Sequence, residues 1–236
     1  MIGSKKVIAI VPARGGSKRL PGKNLLPVAG RPMIAWTIAV ARESKYVDLL
    51  IVSTDEPAIA DVARQYGADV PFLRPAHLAA DDTTSVDTVM HALDSVGGDF
   101  EIAIMLQPTS PLRLREDIDG AIEAFVGSAA SAGVSVYRPA KPIAWSMTVN
   151  SAGQLTPIFG PEGPAGTAPQ DVYFPNGATF VVDIASFRHQ KTFYPRDAIP
   201  FVMPASRSID VDTEDDLALA DHLLRRRANH GGPGAP

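Results

Sequence analysis

Residues Val7–Asn24 read VIAIVPARGGSKRLPGKN, and the fold follows from this stretch. Val7–Val11 is a short, β-branched apolar run, the pattern of a strand buried on both faces of a parallel sheet. A glycine-, proline- and cation-rich loop follows, from Pro12 to about Gly30. Pro32 then suits the first turn of a helix, and Met33, Ile34, Trp36, Thr37, Val40 and Ala41 recur at helical spacing. Strand, loop and helix in that order open a βαβ unit.

The same alternation continues outward. Leu49–Val52 reads as a second strand. Asp55 reads as an N-cap with Pro57 just inside, for a helix closing at Gly67. Ser85–Val96 is a further helix ended by Gly97–Gly98, Ile102–Leu106 a buried strand, Glu116–Val126 a helix, and Ser135–Tyr137 a strand. Strand character resumes at Phe180–Asp183, and a last helix runs from about Thr213 to Arg226. The expectation is an α/β, Rossmann-like fold with a mostly parallel sheet flanked by helices. Between them, about 139–176 is rich in Pro and Gly yet holds Trp145, Phe159, Tyr173 and Phe174. That stretch reads as an extended insert making an oligomer contact, within one domain over residues 1–228. Residues 229–236 read as a flexible tail.

The chain has 236 residues, 45% hydrophobic and 20% charged, which is ordinary globular composition. With no cysteine, disulfides, thiolate metal sites and thiol nucleophiles are excluded. Net charge is −4, so no global field favours nucleic acid. The longest apolar stretch, Pro32–Ala41, is too short for a bilayer, and MIGSKKVIAIVPARGG has no apolar core of a secretory leader. A cytoplasmic protein without nucleic-acid or membrane partners is expected. The histidines at 77, 91, 189, 222 and 230 form no metal spacing.

The chemistry concentrates in the first loop. Arg14, Lys18, Arg19 and Lys23 fall within ten residues, among Gly15, Gly16 and Gly22. Glycines let backbone approach a ligand closely, and four cations in an acidic chain suit a pyrophosphate or triphosphate. Two named phosphate loops are excluded. Aligned on Gly22–Lys23, a Walker loop would need Gly at Ser17 and Ser or Thr at Asn24. Gly15–Gly16 does not supply G-x-G-x-x-G. Asp210 and Asp212 are two apart in an extended segment and so share a face. They suit a hard cation, or Asp212 caps the helix beginning at Thr213.

PARGGSKRLPGKNL resembles the opening of the acylneuraminate (CMP-sialic acid) cytidylyltransferases. The resemblance continues in order through IVSTD (Ile51–Asp55), RPAHLAADDTTS (Arg74–Ser85), LQPTSPLR (Leu106–Arg113), FPNGATF (Phe174–Phe180) and SIDVDTEDDL (Ser208–Leu217). It implies a nucleotidyltransferase-type fold, a homodimer paired through the insert, and transfer of CMP from CTP to a sugar acid with Mg²⁺, releasing pyrophosphate. It implies a CTP site of Ala13, Arg14, Gly15, Ser17, Lys18, Lys23, Asn24, Arg74, Ser85 and Gln107. Arg14, Lys23 and Asp212 would carry catalysis, Asp210 and Asp212 the metal, and Gln107, Phe174, Asn176 and Phe180 the acceptor. The acceptor half departs from the family pattern. Arginines common before PNG are absent from Ala165–Gln170 (AGTAPQ), and the usual tyrosine is Phe180. A small phosphonate is therefore the alternative acceptor to a nonulosonic acid. A non-catalytic nucleotide-binding protein would need a lost phosphate or metal ligand, and none is evident.

Overall fold

The computed structural model describes residues 1–161, 165–169 and 171–229. The tail expected at 229–236 lies outside them, apart from Asn229. So does Gln170 of the AGTAPQ stretch.

The chain opens with β1 (Val7–Pro12), whose first five residues are fully buried. A hairpin of β2 (Pro27–Val28) and β3 (Arg31–Pro32) leads into α1 (Met33–Arg42), with Pro32 just outside the helix. Then come β4 (Val47–Ser53), α2 (Pro57–Gln65), α3 (Ser85–Val96), β5 (Ile102–Leu106), α4 (Arg115–Val126) and β6 (Ala132–Tyr137). An excursion carries a second hairpin, β7 (Met147–Val149) with β8 (Leu155–Pro157). The chain returns in β9 (Phe174–Asp183), followed by α5 (Ile184–Gln190), β10 (Ile199–Val202) and α6 (Glu214–Asn229).

Six strands form the central sheet in the order β10-β6-β9-β5-β1-β4. Pairs β1·β4, β1·β5 and β6·β10 are parallel, and β9 runs antiparallel to both its neighbours. Alternate residues of β1 feed two cores. Val7, Ala9 and Val11 pack under α1, α2 and α4 with Ile34, Ile38, Ile59, Ile118 and Phe125. Ile8 and Ile10 pack under α3 and α5 with Val89, Leu93, Phe180 and Phe187. This is the alternation of a strand covered on both faces. The order reverses at β1, since β4 lies on one side of it and β5 on the other. In such sheets a crevice opens beyond the carboxyl ends of the strands at that switch.

Three local readings are corrected. Glu56, not Asp55, caps α2, because the Asp55 carboxylate is drawn away to accept the Gly15 N–H at 3.0 Å. Strand β9 begins at Phe174, six residues before the expected Phe180, because Phe174 and Pro175 pair with Tyr137 and Val136. The excursion from the sheet is therefore 138–173. Asp212 does not cap α6: Asp216 N–H donates to Thr213 Oγ1 (3.2 Å), and the Asp216 carboxylate accepts from Thr213 N–H (2.9 Å).

Candidate active site

A cleft of about 670 Å³ opens at the carboxyl ends of β1 and β5. One wall is the loop after β1. Asn24 Nδ2 donates to the Arg14 carbonyl (3.0 Å) and folds that loop on itself. Gly15 packs closely on Glu56: a β-carbon would lie 3.0 Å from its side chain, a tight contact that glycine avoids. Gly22, at φ +64°, turns the chain into a one-turn 3-10 helix over Lys23–Leu25. That turn aims Lys23 Nζ at Asp212 (2.9 Å) and at the Val211 carbonyl (3.3 Å).

The opposite wall comes from Arg74 and α3. Thr84 caps α3 reciprocally with Asp87, and this presents Ser85 and Thr88 to the cleft. The Arg74 backbone is fixed by its N–H to the Thr54 carbonyl (2.7 Å) and its guanidinium by Thr88 Oγ1 (3.0 Å). Arg74 is 6% exposed, yet its Nε and Nη2 find no hydrogen-bond partner, and Asp55 stands 3.9 Å away. Burial pushes its pKa down, against the pull of Asp55. A buried guanidinium with free donors at a cleft wall is ready to receive an acceptor from a ligand.

The floor is Gln107, Pro108 and Thr109, just past β5. Beneath it lies Arg113, fully buried, donating to the Ala178 carbonyl, to Thr37 Oγ1 (2.7 Å) and to the Gln107 carbonyl (3.4 Å). Desolvation lowers its pKa to about 9. Gly177, at φ +72°, leaves the space that the Gln107 side chain fills: a β-carbon there would stand 2.3 Å from Gln107 Oε1.

The last wall is Asp210–Asp212, tied to the floor by the Val211 N–H donating to the Thr109 carbonyl (2.8 Å). Asp210 opens to the cleft, yet the protein around it strips enough water to raise its pKa. The Asp212 charge adds to that rise, while a hydrogen bond from Thr109 and the Lys23 charge oppose it.

Charge in the cleft is balanced in two clusters. Asp81 bridges Arg14 (3.1 Å) and Lys18, and Asp212 bridges Arg19 (2.6 Å) and Lys23 (2.9 Å). Hydrogen bonding by Lys18 holds the Asp81 carboxyl below its usual range.

The structure thus gathers Arg14, Ser17, Lys18, Lys23, Asn24, Arg74, Ser85, Gln107, Asp210 and Asp212 on one cleft. It does not gather the rest. Ala13 is buried in the core and Gly15 faces Glu56. Phe180 lies in the α3-side core against Phe193 (5.2 Å) and Tyr194 (6.0 Å). Phe174 is exposed beside Tyr137. Asn176 is buried with every side-chain hydrogen-bonding position used. Its Oδ1 accepts from Ser135 Oγ (2.6 Å) and Ala178 N–H (3.1 Å), and its Nδ2 donates to Ser208 Oγ (2.9 Å) and Met203 Sδ (3.2 Å). Of the expected acceptor residues, Gln107 alone lines the cleft. Arg19, read from the sequence as one of the four loop cations, lines it too, and so do Asp81, Thr88 and Thr109, which the sequence reading left unassigned. Thr88 was within reach of pattern, since it follows Ser85 by three residues on one helix face.

Comparison with known proteins identifies the family. A family model described as Cytidylyltransferase matches residues 8–162. The chain is 37% identical over 231 residues to a CMP-N,N'-diacetyllegionaminic acid synthase of Legionella pneumophila, covering 93% of this chain and 96% of that one. It is 35% identical to an N-acylneuraminate cytidylyltransferase of Escherichia coli O18:K1:H7, covering 94% of this chain but spanning only 53% of that protein. Among solved structures, a CMP:2-keto-3-deoxy-manno-octonic acid synthetase complexed with CTP superposes with a TM-score of 0.69 at 20% identity, over 94% of this chain and 100% of that one. At that identity the likeness concerns the fold, and it is the α/β fold with a mostly parallel sheet read from the sequence. By the family model and by these relatives, the chain belongs to the cytidylyltransferase family.

Proposed function

We propose that this protein transfers CMP from CTP to a nonulosonic sugar acid of the legionaminic or sialic type, releasing pyrophosphate. The observation that carries the reading is the convergence, on one cleft, of four cations from the first loop, the unpartnered donors of Arg74, and two carboxylates opposite them. The near end-to-end match with a legionaminic acid synthase supports the acceptor class.

The reaction forms a bond from an acceptor oxygen to the α-phosphorus and breaks the bond to pyrophosphate. The protein's part is positioning and neutralising charge that shifts onto the leaving group. Arg14, Lys18, Arg19 and Lys23 take the phosphate oxygens. Arg74, Ser85 and Gln107 take the nucleoside. Lys23 is the least exposed of the four cations, at 17%, so its charge is the least screened.

Asp210 and Asp212 fit Mg²⁺. They offer hard oxygen donors beside the cation loop, Asp210 stands exposed on the cleft, and Asp212 is free of any capping duty. Held there, Mg²⁺ would neutralise phosphate charge and polarise oxygens bound to it. We place the reaction in the cytoplasm, where CTP is available. No helix among the described residues is long and apolar enough to cross a membrane.

A small phosphonate is the second acceptor reading, favoured by the scarcity of polar acceptor-side residues on the cleft: Gln107 lines it, whereas Asn176 is fully engaged elsewhere. Pyrophosphate release from CTP decides, with legionaminic acid, pseudaminic acid, N-acetylneuraminic acid and a small phosphonate compared side by side. We expect turnover with a nonulosonic acid and none in EDTA. Turnover with the phosphonate alone moves the assignment to the second reading, and none with any acceptor removes both.

A further inference from the structure

The loop cations are paired within the protein. Arg14 and Lys18 share the carboxylate of Asp81, and Arg14 also donates to the Ala80 carbonyl at 3.1 Å. Asp81 belongs to the segment between α2 and α3, so these contacts latch the phosphate loop to the opposite wall across the mouth. Asp81 offers what a phosphate would offer: two anionic oxygens, one to each cation. It is 49% exposed, outside every hydrophobic cluster, and caps no helix. Its neighbour Asp82 makes no such contact among the described residues.

We infer that Asp81 is an internal competitor for the nucleotide's phosphates, a specificity-determining residue that must surrender Arg14 and Lys18 before CTP can seat. A ligand lacking several negative charges cannot displace a carboxylate from two cations at once, so Asp81 raises the charge a ligand must bring. Only the fraction of molecules with the latch open is competent to bind, and apparent affinity falls by that fraction. Asp212 does the same at Arg19 and Lys23, but its proposed second duty toward Mg²⁺ makes it the poorer probe. Asp81 separates the two effects.

The inference rests on the reading of this cleft as a CTP site. Its test is calorimetric titration with CTP, CMP and cytidine, with Mg²⁺ present and acceptor absent, so that no turnover occurs. The proteins are wild type, Asp81→Asn, Asp81→Ala and the charge-matched control Asp82→Asn. Two partly exposed ion pairs are at stake, so the dissociation constant for CTP is expected to fall roughly 3–10-fold in both Asp81 variants. CMP should gain less and cytidine should stay within about twofold, because the benefit follows phosphate charge. Asp82→Asn should stay within about twofold for all three, since an unpaired exposed charge is screened. Unfolding temperatures verify that each variant is folded. CTP affinity unchanged or weakened in the Asp81 variants overturns the inference while leaving the CTP site standing. So does an equal gain for cytidine, which would mean a steric rather than an electrostatic latch. Wild-type protein that binds no CTP overturns the site and the inference together.

Discussion

At the scale of single residues, the cleft sets stability against use. Asp210 has its pKa raised chiefly by desolvation. An acid whose folded pKa exceeds its unfolded value binds more protons folded than unfolded between those two values, so stability falls as pH climbs through that window. Below the unfolded value of about 3.9 the group is neutral in both states and costs nothing. Asp210→Asn should therefore raise the unfolding temperature at pH 7, with the gain vanishing near pH 3–4. The same variant should lose turnover by roughly 10²-fold or more, as when one charge-stabilising group is removed. A variant less stable than wild type at pH 7 would contradict the desolvation account. Lys23→Ala tests the other side. It too should lose roughly 10²-fold in turnover, but it leaves the Asp212 carboxylate with Arg19 alone. Near-normal turnover in Lys23→Ala would remove the first loop from the chemistry.

At the scale of elements, helix caps carry the site as much as the catalytic side chains do. Thr84 and Asp87 close a reciprocal box at the start of α3, with Asp87 N–H to Thr84 Oγ1 at 3.1 Å and Thr84 N–H to the Asp87 carboxylate at 3.2 Å. The next residue, Ser85, lines the cleft, and Thr88 anchors Arg74. Thr84→Ala should cost about 1 kcal/mol of stability and weaken nucleotide binding through Arg74. Denaturant unfolding and a CTP titration read the two effects, and an unchanged unfolding midpoint would dismiss the cap. Local elements of this kind were legible in the sequence: β1, α3 and β5 stand where their periodicity and flanking glycines put them. What was not legible depends on distant partners. The start of β9 is one case. Ser135, forty-one residues before Asn176, donates to its side chain and accepts from Thr179 N–H at 2.7 Å, holding an irregular register between Val134 and Val136. No pattern within Phe174–Phe180 announces that. Asp55 is the same lesson. Its spacing before Pro57 is right for a cap, but an amide forty residues away claims the carboxylate. Strand β10 escaped reading because Pro200 interrupts four residues, an interruption that an edge strand tolerates.

At the scale of the whole molecule, the β7·β8 hairpin carries an exposed apolar surface. The excursion leaves β6 and returns in β9, two neighbouring interior strands of the sheet that carries the cleft, and within it Val149 pairs with Leu155 across the hairpin. Trp145 and Leu155 are each 71% exposed and Val149 is 64% exposed. A two-stranded hairpin is marginal on its own in water and needs a third element or a packed face. Large apolar side chains gathered on one projecting element mark an interaction surface rather than a solvated one. A second copy of the chain satisfies both requirements by pairing like with like, the commonest closed arrangement of identical subunits. We therefore expect a homodimer in sedimentation velocity at micromolar concentration. Leu155→Asp should convert it to monomer, because the new carboxylate would be buried without a partner at the interface. The main sheet shares no core with the hairpin, so the unfolding transition of the monomer should persist, shifted only by the loss of association. A wild-type monomer at that concentration, or a Leu155→Asp protein that remains dimeric, would place the subunit contact elsewhere or remove it.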